Sequence, residues 1–449
     1  MAKKERLIVI GGVAAGMSAA TKARRLAPDL EIRVFEKSGF VSFGSCGLPY
    51  FVGGVIPSHE KLIVRTPEQF AKSNIAVHVH HEVTGIDLQK RTVRVRDLRE
   101  NREFEEPFDK LVVTTGGSAV RPKLPGIGLP GIFSLRIVED GLAVRRWLRE
   151  QNVRAAVIVG GGYIGLEMAE AFRNLGLEVT VLEMLPQVLS NMDADMAALV
   201  QDELKYQGVG LYLEHKVEGF EGTDRVRAVV ANGREFPADI VLLAVGVRAN
   251  VKLAAEAGIR IGPTGAVAVN DRQETNVPGV FAAGDVAEAH HLVLNRPVYI
   301  PLGTTANKQG RVAGTNVAGG RARFPGIVGT AAVKVFDLEV ARTGLTLAEA
   351  RKEGFDAQET RIKHFAIGHY MPDPTPLHVK LVYDAGSRRL LGAQMVGKQG
   401  AAKRIDVIAA ALLAKWTVSD LAKLDLSYAP PFAPVWDPIL VAANVAGKA

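Results

Sequence analysis

Three kinds of residue in this chain can do chemistry: one thiol, two glycine-rich turns, and the carboxylate that follows each turn. The thiol is Cys46, the single cysteine among 449 residues. One cysteine excludes an intrachain disulfide and any zinc or iron–sulfur centre built from several cysteines of one chain. Whatever Cys46 does, it does alone or with something brought to it. The second glycine turn is complete: Gly160, Gly162 and Gly165 fit GxGxxG, and Glu183 ends the next strand-like run, EVTVLEM. Glycines at this spacing let a pyrophosphate approach N–H groups at a helix start, while the acid receives ribose hydroxyls. In the first turn Gly11, Gly12 and Gly16 frame Val13, Ala14 and Ala15, and Glu36 lies 20 residues beyond Gly16. Two dinucleotide sites are therefore expected. Met184 and Leu185 follow Glu183 with no cation for a ribose phosphate, which favours NADH over NADPH.

The elements that must hold these residues are legible as periodicity. RLIVIGG, GMSAATKARRL and EIRVFEK read as strand, helix and strand, and AAVIVGGG, YIGLEMAEAFRNLG and EVTVLEM repeat that order. The βαβ unit is thus duplicated. DKLVVTTGG, DIVLLAVG and GVFAAGD read as parallel strands that hand over to loops at a ligand crevice. RPKLPGIGLPG reads as a linker into the second unit, and from Phe324 alternating strands with a later helix, AAKRIDVIAAALLAKW, read as α+β. The expected fold is α/β, with two Rossmann-like dinucleotide-binding domains and a third, α+β domain. Their boundaries are expected at 1–117 with 247–323, at 118–246, and at 324–449.

The net charge of +7 is small and scattered, so no nucleic-acid stripe is expected and an anionic small molecule fits as ligand. The start MAKKERLIVIGG shows no leader pattern, and the longest apolar runs, 155–162 and 438–446, are shorter than the roughly 20 residues of a membrane span. A soluble, cytoplasmic protein without membrane contact is expected. The ten histidines show no metal-ligand spacing, and His290 and His291 would point apart on a strand, so no metal is assigned.

TNVPGVFAAGDVA at 275–287 resembles the second flavin-binding segment of flavoproteins with two dinucleotide folds, where the matching aspartate is Asp285. Thr115 and Gly116 in TTGG, and Leu302, Gly303 and Thr304 at an expected helix start, match other parts of that pattern. Over essentially its whole length the chain resembles the single-cysteine branch of the pyridine nucleotide–disulfide oxidoreductases, which includes the coenzyme A-disulfide reductases. The resemblance implies FAD on the first unit, held by Gly11, Gly12, Ala14, Ala15, Gly16, Glu36, Lys37 and the residues just named. It implies NADH or NADPH on the second unit, held by Gly160, Gly162, Ile164, Gly165, Glu183 and Gly246, with Tyr163 covering the nicotinamide side of the flavin and Glu167 nearby. The third domain becomes a dimerisation domain.

Members with two cysteines space them CxxxxC, and here Phe51 stands in the second place. The partner sulfur must then come from substrate, as a mixed disulfide between Cys46 and coenzyme A, with polysulfide or persulfide as a further electrophile for the same thiolate. Cys46, flanked by Ser42 and Ser45, is expected at a helix N-terminus where dipole and donors lower the thiol pKa. By the same resemblance Lys22 and Arg25 face the coenzyme A phosphates, and Tyr370 and Tyr428 reach across a homodimer to the neighbouring cysteine. Two alternatives stay open. One is an NADH oxidase using oxygen, against which stands Ala14, where those relatives carry a histidine. The other is flavin electron transfer to a protein acceptor such as a ferredoxin, with Cys46 incidental.

Overall fold

Leu7, Ile8, Val9 and Ile10 are all buried, as a strand covered on both faces requires. In the computed structural model of the chain, which describes residues 4–448, they centre a parallel sheet of five strands. Met1–Lys3, part of the segment read for a leader, and Ala449, the last residue of the expected third domain, lie outside the described residues. The sheet runs Val280–Ala282, Lys110–Val113, Arg6–Ile10, Glu31–Glu36 and Ile75–Val79. Lys110–Val113 therefore pairs with Arg6–Ile10 on one side and, on the other, with Val280–Ala282 from beyond the second unit, which interrupts the first in sequence but not in space.

The second unit repeats the plan with Gly210–Tyr212, Glu178–Leu182, Ala155–Val159, Ile240–Leu243 and Ile132–Phe133, again all parallel. Each parallel sheet carries a small antiparallel one, over His81–Pro107 in the first unit and Val217–Pro237 in the second. The two chain crossings between units, Gly117–Ala119 and Val247–Ala249, pair antiparallel to each other. A third sheet of five antiparallel strands spans 331–397, and the helices Ala401–Leu413 and Pro438–Lys448 bury Ile405, Ile408, Ile439 and Ala443 in its core.

Two close approaches position the first site. The helix Ala14–Leu26 lies against the helix Gly303–Val317, and a Cβ at Gly310 or Gly314 would collide with the carbonyl of Ala15 or Ala19. Backbone-to-backbone packing of this kind brings side chains of both helices to one surface, and Ser18 Oγ donates to Asn307 Oδ1 at 2.8 Å. The second unit is fixed to the third domain by a buried cation. Lys380, with its side chain 3% exposed, pairs with Asp195 at 2.7 Å and Asp193 at 3.5 Å from the second unit, and with Glu359 at 2.5 Å on its own sheet. Among the described residues no helix is long and apolar enough to cross a membrane.

Candidate active site

Both glycine turns are built alike. Gly11 and Gly160 leave their strands at φ 101° and 107°, a backbone conformation that only glycine adopts without strain. The helices Ala14–Leu26 and Tyr163–Asn174 follow, with Gly16 and Gly165 packed on the turn so tightly that a Cβ would meet the Gly11 or Gly160 carbonyl. Gly162 opens the second helix as its cap residue, and Ile164 lies in its first turn. Buried Glu36 accepts the Gly12 N–H at 2.7 Å and the Ser38 N–H at 2.8 Å. Buried Glu183 does the same for Gly161 at 2.7 Å and Leu185 at 2.8 Å. Each carboxylate is therefore held at its strand end beside a glycine turn, where a ribose would lie. Lys37 is exposed, as are Met184 and Leu185, the two residues that follow Glu183.

The first crevice is closed by segments distant in sequence. Thr114 Oγ1 donates to the Ile10 carbonyl at 2.7 Å, and Thr115 Oγ1 to the Asn250 carbonyl at 2.9 Å, with Gly116 following at φ 66°. The helix Gly303–Val317 starts from Leu302 with no side-chain cap, and Gly303 and Thr304 are exposed, so its first amides are open to a ligand. Asp285 is paired with Arg136 at 2.9 Å, and Arg136 Nε is buried without a partner. Arg136 comes from the far side of the linker and carries no sequence signal of its own. Gly246, at φ 110°, ends the chain's passage through the second unit.

Cys46 sits in a single 3₁₀ turn, Ser45–Gly47, that leads into the short helix Leu48–Val52. The residue is exposed at the surface of the chain. The expectation of a lowered thiol pKa is corrected: burial on the protein side pushes the thiol up, and the Glu167 carboxylate adds to this. The Ser45 hydrogen bond and the more distant Arg136 oppose without prevailing. A five-residue helix has too few aligned peptides to outweigh that burial. Glu167 is itself pushed up to about 7, by burial first and then by Glu170, whose carboxylate pairs with Lys334. Phe51, in the place of a second cysteine, is buried under the Arg145 guanidinium, 4.6 Å from the ring centre. Tyr163, four residues before Glu167, has its hydroxyl fixed by Asn191 Nδ2 at 2.9 Å.

A cleft of about 510 Å³ opens on the outer face of the first helix. Lys22, Arg25 and Ser42 line it, and Arg65 and Arg311 add two cations that sequence reading missed. They come from two further segments, so no spacing rule could have grouped them. No acidic residue lines the cleft, so its charge is complementary to a polyanion. Ala14 lines it with only a methyl group. Tyr370 and Tyr428 are not brought to this site within the chain. They stand 62% and 47% exposed on the third domain, hydrogen-bonded to each other at 3.0 Å, amid exposed Phe432, Val435 and Trp436. No group of His, Cys, Asp and Glu among the described residues could hold a metal ion.

The profile of the family described as pyridine nucleotide-disulphide oxidoreductase matches residues 5–310, and that of its dimerisation domain matches 330–438. The chain is 43% identical to a CoA-dependent NAD(P)H sulfur oxidoreductase of Pyrococcus abyssi, over 98% of both chains. It is 33% identical to a coenzyme A disulfide reductase of Staphylococcus aureus, over 95% of this chain and 96% of the relative. A solved NAD-dependent persulfide reductase of A. fulgidus superposes with a TM-score of 0.96 at 40% identity, covering 99% of this chain and 83% of that one.

Proposed function

The chain belongs to the pyridine nucleotide-disulphide oxidoreductase family, and from that premise we propose that it reduces coenzyme A disulfide, and with it polysulfide or persulfide, at the expense of NAD(P)H. It is an NAD(P)H-dependent oxidoreductase of the coenzyme A-disulfide and persulfide reductase group. The observation that carries the acceptor is the pairing of one exposed thiol, Cys46, with a cleft of cations and no acid that includes the neighbouring Ser42. A polyphosphorylated thiol fits both parts at once.

The residues of the first crevice fit FAD. The Gly11–Gly16 turn and the uncapped helix start at Leu302 offer N–H donors, Glu36 an acceptor, and Arg136 an unpartnered donor. Asp285 and Arg136 would hold the polyol and phosphate side, and Lys37 the rim. FAD supplies a two-electron carrier between nicotinamide and sulfur. Glu183 would accept the ribose hydroxyls of NADH, with Gly160, Gly162, Ile164 and Gly165 cradling its pyrophosphate, Gly246 bordering the crevice, and Tyr163 and Glu167 at the nicotinamide end. That Met184 and Leu185, and no cation, directly follow Glu183 favours NADH.

Lys22 and Arg25, with Arg65 and Arg311, would anchor the phosphates of coenzyme A, and Ser42 and Ser45 flank its sulfur. The Cys46 thiolate attacks one sulfur of the acceptor, the acceptor's S–S bond breaks, and one coenzyme A thiolate leaves and takes a proton. A mixed disulfide between Cys46 and coenzyme A remains. Two electrons from NAD(P)H cleave it, release the second thiol and return the Cys46 thiolate. In a homodimer the exposed Tyr370–Tyr428 pair faces the partner's cysteine and supplies the leaving thiolate's proton. We place the enzyme in the cytoplasm, where an unpaired thiol persists. Intact-mass analysis of the purified protein before and after reduction tests the mixed disulfide. A coenzyme A adduct that maps to Cys46 and is lost on reduction supports it, and a wild type that never carries one after treatment with coenzyme A disulfide rejects it.

A further inference from the structure

The two loops that carry Tyr370 and Tyr428 meet on one guanidinium. Arg404, in the first turn of the helix Ala401–Leu413, donates from Nε to Asp437 Oδ2 at 2.8 Å. Its Nη2 donates to the carbonyl of Ala366 at 2.8 Å and to that of Phe432 at 3.1 Å. Ala366 opens the loop of Tyr370, while Phe432 and Asp437 belong to the segment of Tyr428. The Arg404 and Asp437 side chains are 11% and 9% exposed, so solvent screens this pair little. Asp437 is itself fixed, since its Oδ1 accepts the Ile439 N–H at 2.9 Å at the start of the last helix. Gly400 leaves space for the guanidinium: a Cβ there would collide with Arg404 Nη1. The loops are also tied directly, Gly368 N–H to the Pro430 carbonyl at 2.8 Å, and the phenols end 3.0 Å apart.

We propose that Arg404 is a positioning residue that sets the Tyr370–Tyr428 pair for sulfur chemistry in the partner subunit. The inference rests on the reading above that these tyrosines serve the partner's cysteine. Three acceptors on two segments need donors in a rigid planar fork, which a guanidinium has and an ammonium lacks. Without it the loops separate, and the phenols lose their common aim while the domain keeps its core.

Arg404→Lys and Gly400→Ala test this in the full-length, FAD-loaded dimer. The first readout is the light-driven dityrosine cross-link between Tyr370 and Tyr428, scored by peptide mapping. The second is the split between kcat with coenzyme A disulfide and KM for NADH. Both variants should lose most of the cross-link and about 10- to 100-fold in kcat, with KM for NADH, NADH-to-dye turnover and dimer mass unchanged. Cross-linking and kcat equal to wild type would overturn the proposal, as would parallel loss of every activity with the dimer. Tyr428→Phe separates the two readings. If that variant keeps full kcat, the catalytic role of the tyrosines fails, while cross-link loss in Arg404→Lys still supports the positioning.

Discussion

Glu183 holds the Gly161 N–H on Oε2 at 2.7 Å, the same bond at the same length that Glu36 makes to Gly12 in the first unit. The duplication thus reaches single atoms. Its Oε1 accepts only the Leu185 N–H, which leaves capacity for a ribose hydroxyl. Glu183→Ala removes that acceptor. It should lower kcat/KM for NADH by about tenfold, the worth of one hydrogen bond to a charged group, and lower that for NADPH less. Steady-state kinetics with both nucleotides checks this, and equal losses for the two would contradict it.

Glu167 gives the protein a pH-dependent stability. Its carboxyl is pushed up to about 7 from an ordinary 4.5 by burial, with Glu170 adding repulsion. A carboxyl whose native pKa is raised stabilises the fold fully below its unfolded pKa, and that contribution is lost as pH rises through the native value. Wild type should therefore lose stability between pH 4.5 and about 7 relative to Glu167→Gln, by about 2–3 kcal/mol. Denaturant unfolding of both proteins at pH 5 and pH 8 measures it. Parallel curves would mean that Glu167 is ionised throughout.

The Cys46 thiol should show the companion effect. Because burial and then the Glu167 carboxylate raise its pKa, alkylation of the free protein should reach half-maximal rate above the ordinary thiol range. In Glu167→Gln the midpoint should move to lower pH but stay raised, since burial is the larger cause. A pH–rate profile of iodoacetamide labelling tests the sign, and an upward move in the variant would refute the coupling.

The cationic cleft predicts a selective defect. Lys22→Ala and Arg25→Ala should each raise KM for coenzyme A disulfide about tenfold, at the scale of a charge-assisted hydrogen bond, and leave KM for NADH alone. The wild-type KM should also rise with salt as counterions compete for the cleft. Reduction of a small uncharged disulfide is the control, and an equal effect on that substrate would remove the cleft's role.

Local sequence carried much of this site. Strand, glycine turn, helix and acid are contiguous, so both crevices, with Glu36 and Glu183, were legible from spacing alone. Asp285 was legible through its segment, but its partner Arg136 was not, because the two lie 149 positions apart in sequence. Arg65 and Arg311 were missed for the same reason, since a charge cluster drawn from separate elements has no one-dimensional pattern. The direction of the Cys46 shift could not be read from its small polar flanks, because its causes, burial first and then the Glu167 carboxylate on a helix of the second unit, arise only in the folded chain.

The most direct test is anaerobic NADH oxidation by the FAD-loaded protein with coenzyme A disulfide as sole acceptor, wild type beside Cys46→Ser. The thiol account predicts turnover in the wild type and none in the variant, while both still reduce an artificial dye. Equal turnover by the two proteins, or no turnover until air is admitted, would contradict it.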